Sequence, residues 1–508
     1  MINKKILITI GILIIAIVLF KEYTQRLKPA VTIECGNNIC ESNEDGHNCP
    51  VDCCIPDDGI CPVGCVFGKD NDCKTGDLSH IKVVSYYRSV NDGIYYLNRS
   101  VSDVISLFKE TKTDFILFGK DRWFPMPESR NEIPSDLFTK SIIEESWRRG
   151  LTYQQVEQAI TEIKKEIPDV IFSSSLYAEF IFAMEKNPIT GETIENDKIW
   201  TMVLDPEKWG ISMSKEKAQC LYAKDLTYQI PSDFDCSQYD YKKMLIYYPD
   251  ITNEDYQNFI LSLAKRQIDC GADAIWIDLL FGQSNDFFKY LVSIEGLTAD
   301  EAFKHPAVKE SFTAALKLID KIHNYGQSKG RYIYVGSWPV LFRYQKGELI
   351  LTPPYPAPNL DFITICANSD EIRNKQLDEE LLNKLLPEIK DYSNNVPIFM
   401  IFDYGYKESP SHIFSQDLSL EEQREFLRML DEFCEEKGLY FAYPLHGMDL
   451  GPWEEGEPKT LSFSNICYTP VYPSGSPITC GFEFYDSLAP EFQIYEIIKE
   501  LALKKASR

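Results

Sequence analysis

Histidine is scarce in this chain, six among 508 residues, and none falls in an HxH or HExxH pattern. A metal-dependent hydrolase barrel needs several such ligands, so that chemistry is disfavoured and no metal is expected at a catalytic centre. No GxSxG elbow is present, which removes the usual serine-hydrolase arrangement. No Gly-rich phosphate loop follows the first strand-like run, and flavin and nicotinamide fingerprints are missing too. Positive charge is also short. Lys and Arg total 52 against 77 Asp and Glu, a net charge of −25. Nucleic acid and anionic lipid surfaces are bound by clustered Lys and Arg, so neither is an expected partner.

What the chain has is apolar and aromatic mass. Hydrophobic residues make up 44% of it, with 29 Tyr and 29 Phe. That is enough for a large core, and the length suits one large barrel plus additions. Two lysines precede an uncharged run at 6–20, ILITIGILIIAIVLF. Such a start suits a signal anchor. No small-residue cleavage site follows, so an uncleaved membrane helix is expected, with Lys21 reaching the interface.

Eight of the 15 cysteines fall between Cys35 and Cys73. That density after a targeting segment reads as a disulfide framework in an oxidising compartment. The bulk of the chain is therefore expected outside the cytoplasm. The pairing of the eight is not deducible. Glu41, Glu44, Asp45 and Asp52 could offer oxygens to Ca²⁺, although an ion-free acidic knot is the simpler expectation. The expected organisation is an anchor and stalk at 1–30, a disulfide-rich module at 31–78, and a large domain at 79–508.

From residue 79 apolar runs alternate with amphipathic stretches, which argues for βαβ units. Candidate strands are 83–87, 114–119, 170–175, 274–280, 332–337, 361–367, 397–403 and 439–445. Helical patterns include 153–167, 253–268, 419–433 and 492–505. Eight strands, each with room for a following helix, predict an α/β fold: a (β/α)8 barrel with long βα-loop insertions at 176–252 and 446–490. A doubly wound open sheet is the alternative. Each long loop holds two cysteines, Cys220 with Cys236 and Cys467 with Cys480, and these are plausible staples. Cys270, Cys366 and Cys434 are expected as buried free thiols. Asn98-Arg99-Ser100 is one glycosylation sequon.

Strand parity predicts a rim. In GADAIWIDLLFG, Ala274, Trp276 and Asp278 share one face and Ile275, Ile277 and Leu279 the other. Asp278 ends that strand, where a barrel keeps its catalytic groups. Asp403 ends the seventh strand and is followed by Tyr404. Thr364, Cys366, Asn368 and Asp370 share a face of the sixth. Asp121 and Trp123 follow the second strand, Tyr177 and Glu179 end the third, Trp338 the fifth, and His446 with Asp449 the eighth. Glycoside hydrolysis needs two carboxyl groups, with aromatic faces and polar groups to hold the sugar. The expected catalytic set is Asp278, Asp370 and Asp403, and the others, with Asn368, Tyr404 and Trp276, would bind substrate. Each has a plainer reading. Asp370 could begin a helix, Asp403 could sit in a turn, His446 could be structural, and Trp276 could be core.

Two resemblances bear on this. The text CGNNICESNEDGHNCPVDC is similar to a Cys-rich repeat of secreted and surface proteins, of the form CGNGxCExGEx followed by CPxDC. The stretch YYPDITNEDYQNFILSLAKRQIDCGADAIWIDLLFG, within 246–282, resembles the fourth βα unit of barrel glycoside hydrolases related to the α-galactosidase clan and to endo-α-polygalactosaminidases. That resemblance covers about 40 residues. It implies Asp278 as nucleophile and points to Asp370 on the sixth strand as acid/base. The sixth strand reads NSDEI and departs from the clan, which leaves Asp403 competing for that role. The function implied is an extracytoplasmic glycoside hydrolase with a carbohydrate substrate. The rivals are a barrel that binds glycans or partners without turnover, and a glycosyl transferase using the same carboxylates.

Overall fold

A computed structural model describes residues 78–93, 97–122, 125–132, 150–225, 234–339, 343–345, 348–350, 356–403, 409–449, 467–468, 479–480, 484–489 and 492–508. The expected anchor, the cysteine module with its Ca²⁺ oxygens, Trp123 and Tyr404 lie outside these residues. Among the described residues no helix is long and apolar enough to cross a membrane.

Eight parallel strands form a closed barrel. They are β1 (Val84–Tyr87), β2 (Phe115–Asp121), β3 (Ile171–Tyr177), β4 (Ala274–Asp278), β5 (Tyr334–Ser337), β6 (Phe362–Cys366), β7 (Ile398–Ile401) and β8 (Tyr440–Asp449). Neighbours pair in chain order, and β1 pairs with β8, closing the ring and ruling out the open sheet. A short antiparallel strand, β9 (Phe484–Asp486), extends the far end of β8. The expected strands all appear, shifted by a few residues at their ends.

The helices carry the signals their sequences advertise. Helix α1 (Val101–Thr111) opens on Ser100 and α2 (Tyr153–Glu166) on Thr152, each with a reciprocal capping box. On α2, Val156, Ala159, Ile160 and Ile163 are buried. That i, i+3, i+4, i+7 stripe turns one face to the barrel. Burying each large aliphatic of such a stripe contributes roughly 1.5–3 kcal/mol. The crossovers continue with α3 (Glu254–Asp269), α4 (Gly282–Ser293), α5 (Pro306–Ser328), α6 (Glu379–Tyr392), α7 (Leu420–Lys437) and α8 (Tyr495–Ala506). No helix is found among the described residues between β5 and β6, where Arg343–Gln345 and Glu348–Ile350 pair as a hairpin.

An aspartate just before three alternate strands ties each to its neighbour. Asp114 accepts from the Val83 N–H (3.0 Å), Asp273 from Phe172 (3.0 Å) and Asp361 from Val335 (2.7 Å). Each satisfies a backbone donor at the start of the preceding strand. Inside the barrel, Phe115, Phe362 and Phe399 form one layer, with ring centroids 5.0–5.3 Å apart. Gly336 makes room for it, since a Cβ there would lie 2.2 Å from the Phe362 ring. Above sits a second layer of Tyr86, Phe118 and Trp276. Trp276 is 1% exposed, and its Nε1–H donates to Thr364 Oγ1 across the barrel (3.0 Å). Its expected role in sugar binding is therefore corrected: parity put it inside, and the interior there is filled.

The long β3–β4 connection packs Tyr222 and Tyr248 into a separate apolar cluster with Phe287 and Phe288 of α4. It is stapled by the Cys220–Cys236 disulfide. Cys467 and Cys480 stand opposite one another in a two-residue antiparallel pairing. Cys270, Cys366 and Cys434 are free, with Cys366 partly exposed rather than buried.

Candidate active site

Three residues in or just after the barrel strands depart from ordinary strand geometry. Ser89 after β1, Phe118 in β2 and Leu279 after β4 all have positive φ, of 60°, 61° and 49°. Non-glycine residues held this way carry about 1–3 kcal/mol of strain each, and such residues cluster at functional sites. At Phe118 the strand bulges, for the β2–β3 register slips between Ile116 and Lys120. At Leu279 the turn sends a backbone N–H onto the Asp278 carboxyl.

Asp278 closes β4 and is partly buried. The Trp338 Nε1–H, from the end of β5, donates to its Oδ1 (2.7 Å). Burial, the negative charge of Asp403 after β7, and more weakly that of Asp121 push its pKa up to about 7. The Trp338 and Leu279 hydrogen bonds oppose this without reversing it. Desolvation and the neighbouring negative charge both favour the neutral carboxyl, so Asp278 keeps its proton close to neutral pH. Although the residue is partly exposed, desolvation of its sulfur and the Asp403 charge push the Cys366 thiol above the usual range.

Asp121 has the opposite environment. It is 2% exposed, yet it accepts from Arg88 Nε, Ser175 Oγ (2.6 Å) and Tyr177 Oη (2.7 Å). Burial raises its pKa, but Arg88, Lys120 and these hydrogen bonds outweigh it and hold the carboxyl below its usual range. It is a fixed anion. Its oxygens are engaged within the protein, so its expected direct contact with substrate is corrected. The same holds for the Tyr177 hydroxyl, which is spent on Asp121.

Glu179 lies two residues beyond β3. Ala178 N–H bonds the Asp278 carbonyl (3.1 Å), which ties this loop to the β4 rim. Burial, Asp286 and Asp278 push Glu179 well above the carboxylate range, and Lys289 opposes them. Tyr222 Oη donates to the Glu179 carbonyl (2.7 Å) and Tyr248 Oη to Asp286 (2.8 Å).

Two expected groups are elsewhere. Asn368 caps a short helix, Ser369–Asn374, through a capping box with Glu371. Asp370 occupies its first turn, with its side chain 84% exposed and paired to Arg373 (3.0 Å). An acid is favoured there by the free N–H groups of a helix start. Asn368 and Asp370 are thus held as a helix cap and a first-turn acid. His446 is 3% exposed. Its Nδ1–H donates to Asp486 (2.6 Å) and its Nε2–H to Asp92 (3.0 Å). Arg99 grips Asp486 with both terminal nitrogens (2.7 and 2.9 Å). This is a buried clasp of β1, β8 and β9, not a surface for sugar. Asp449 pairs with Phe484 in the backbone ladder. Among the described residues no three His, Cys, Asp or Glu side chains gather as a metal-ligand set.

Several of these partners escaped sequence reasoning. Arg88 had a signal, a cation directly after an apolar strand. Asp92, Arg99 and Asp486 had none, being distant in the chain and joined only by closure of the barrel.

No family model matches the chain, and no curated protein matches it. Solved structures of glycoside hydrolase barrels do resemble it. Amy13B of Eubacterium rectale is 12% identical with a TM-score of 0.39, covering 84% of this chain and 78% of its own. The α-galactosidase of Thermus thermophilus is 11% identical with a TM-score of 0.33, covering 71% and 58%. The glycoside hydrolase domain of PelA from Pseudomonas aeruginosa is 10% identical with a TM-score of 0.28, covering 72% and 95%.

Proposed function

We propose that this barrel hydrolyses a glycosidic bond with Asp278 and Asp403 as the working carboxyl pair. The observation that carries the reading is the state of Asp278: a rim carboxyl, held by Trp338 and pushed up to about 7 beside a second carboxyl. A general acid must still hold its proton at working pH, and this environment keeps one. Asp278 then protonates the leaving oxygen as its bond to the anomeric carbon breaks, and Asp403 serves as the nucleophile or as the base for the attacking water. This exchanges the roles that resemblance alone implied. The fixed anion Asp121 keeps Tyr177 and Arg88 in place beneath them.

The chain would act on a carbohydrate outside the cytoplasm. The Cys220–Cys236 bridge supports an oxidising compartment. Chromogenic glycosides and a glycan panel, screened with the wild type and Asp278→Asn, test the reading. Turnover by the wild type that falls about 100- to 10,000-fold in Asp278→Asn supports it. Turnover unchanged by that substitution removes Asp278 from the chemistry.

A further inference from the structure

A narrow cleft opens beside the Asp278–Trp338 pair. Leu279, Leu280, Phe281, Gly282, Asn285, Ser337, Trp338 and Pro339 line it. Its walls are mostly apolar, and Asn285, in the first turn of α4, supplies the one carboxamide. Asn285 is 3% exposed, and its Oδ1 is buried without a hydrogen-bond partner. Neighbouring polar side chains are satisfied: Gln283 bonds Asp250 and Ser311, Ser284 bonds Val308 O, and Ser337 bonds Ile277 O. A buried amide left unpaired is unfavourable, and such groups mark places where a ligand or water completes the set.

We propose that this cleft is a specificity subsite that takes the hydroxymethyl group of a hexopyranose. The cleft offers about 20 Å³ for a water-sized group, the size of the terminal hydroxyl. The apolar walls suit the CH2, and a hydroxyl both donates to and accepts from a carboxamide. Trp338 joins the two places, since its indole edge holds Asp278 while the residue itself lines the cleft. A sugar seated there is held against the proton-bearing carboxyl. A pentose lacks the group and leaves Asn285 unpaired, and a site built to pair a hydroxyl rejects an analogue without it. The inference rests on the carbohydrate reading above, and sharpens it from a sugar to a hexose.

The test is ligand-observed NMR titration of the full chain with two matched pairs, D-galactose with L-arabinose and D-glucose with D-xylose. Each pentose is its hexose without the hydroxymethyl group. At least one hexose should bind about tenfold or more tightly than its pentose. Asn285→Leu, of similar volume, should erase that preference, with its melting temperature checking the fold. Equal binding within both pairs, no binding by any of the four, or a preference that survives in folded Asn285→Leu overturns the subsite. The preference in unaltered protein needs no variant to be read. If it is present while the glycoside screen shows no turnover, the subsite stands and the hydrolase reading falls.

Discussion

The buried clasp around His446 makes the stability of this barrel depend on pH in a calculable way. His446 lies between Asp92 and Asp486, against the Tyr87 ring, with Arg99 on the far side of Asp486. Burial alone would lower its pKa, but the two carboxylates overcome that and raise it from 6.5 to about 9. Each unit is worth about 1.4 kcal/mol, so the protonated clasp contributes about 3 kcal/mol. The folded pKa lies above the unfolded one. The contribution is therefore complete below about pH 6.5 and is lost as pH rises through about 9. Asp486 is shifted the other way, held below the carboxylate range chiefly by hydrogen bonds from His446 and Arg99 against burial. Its share is present above about pH 4 and is lost in acid. Urea unfolding of the wild type and His446→Gln, followed from pH 5 to 10, reads the difference. The variant should be destabilised by about 3–5 kcal/mol at pH 5.5, because the Asp92 charge is left buried without its partner. The gap should narrow by about 3 kcal/mol by pH 9.5. Parallel curves across that range would refute the assignment of a charged histidine.

Three further outcomes follow from the same geometry. Gly336→Ala should lower stability by about 1–3 kcal/mol in thermal melts, because its Cβ overlaps the Phe362 ring; an unchanged melting temperature would mean that the aromatic layer yields easily. Trp338→Phe removes the N–H that favours ionised Asp278, so Asp278 should keep its proton to higher pH, seen by carboxyl-carbon NMR as an upward-shifted titration; a downward shift would contradict the assigned bond. Breaking Cys220–Cys236, 16 residues apart, with two serines should remove about 3 kcal/mol of chain constraint. The loosening should appear as new protease cleavage within 178–252, and an unchanged digest would show the insertion to be held by packing alone.

The barrel was legible because its strands are short apolar runs and the stretches between most of them are amphipathic. Both are local features. Parity was legible as well, since a period of two places Trp276 and Asp278 on one face without any knowledge of the fold. Depth along that face was not. Trp276 and Asp278 are two residues apart, yet one lies within the packed interior and the other at its rim, a distinction set by where neighbouring strands end. Asp370 shows the matching failure. Its parity continued that of Thr364 and Cys366, but Asn368 stops the strand and starts a helix, which swings the carboxylate into solvent. The dressing of Asp121 by Arg88, Ser175 and Tyr177 comes from the two strands flanking its own and is set by their pairing. The paired aspartates before β2, β4 and β6 were in plain sight as DF and DA dipeptides. Their role required knowing which backbone N–H each one meets.

The most direct test of the central claim is the pH dependence of kcat/KM for glycoside cleavage, in the wild type and in Asp278→Asn. The account predicts a rate that falls above about pH 7 as Asp278 loses its proton, with the limb absent and the rate about 100- to 10,000-fold lower in the variant. A rate that instead rises through pH 7, or cleavage that persists undiminished in Asp278→Asn, would contradict it.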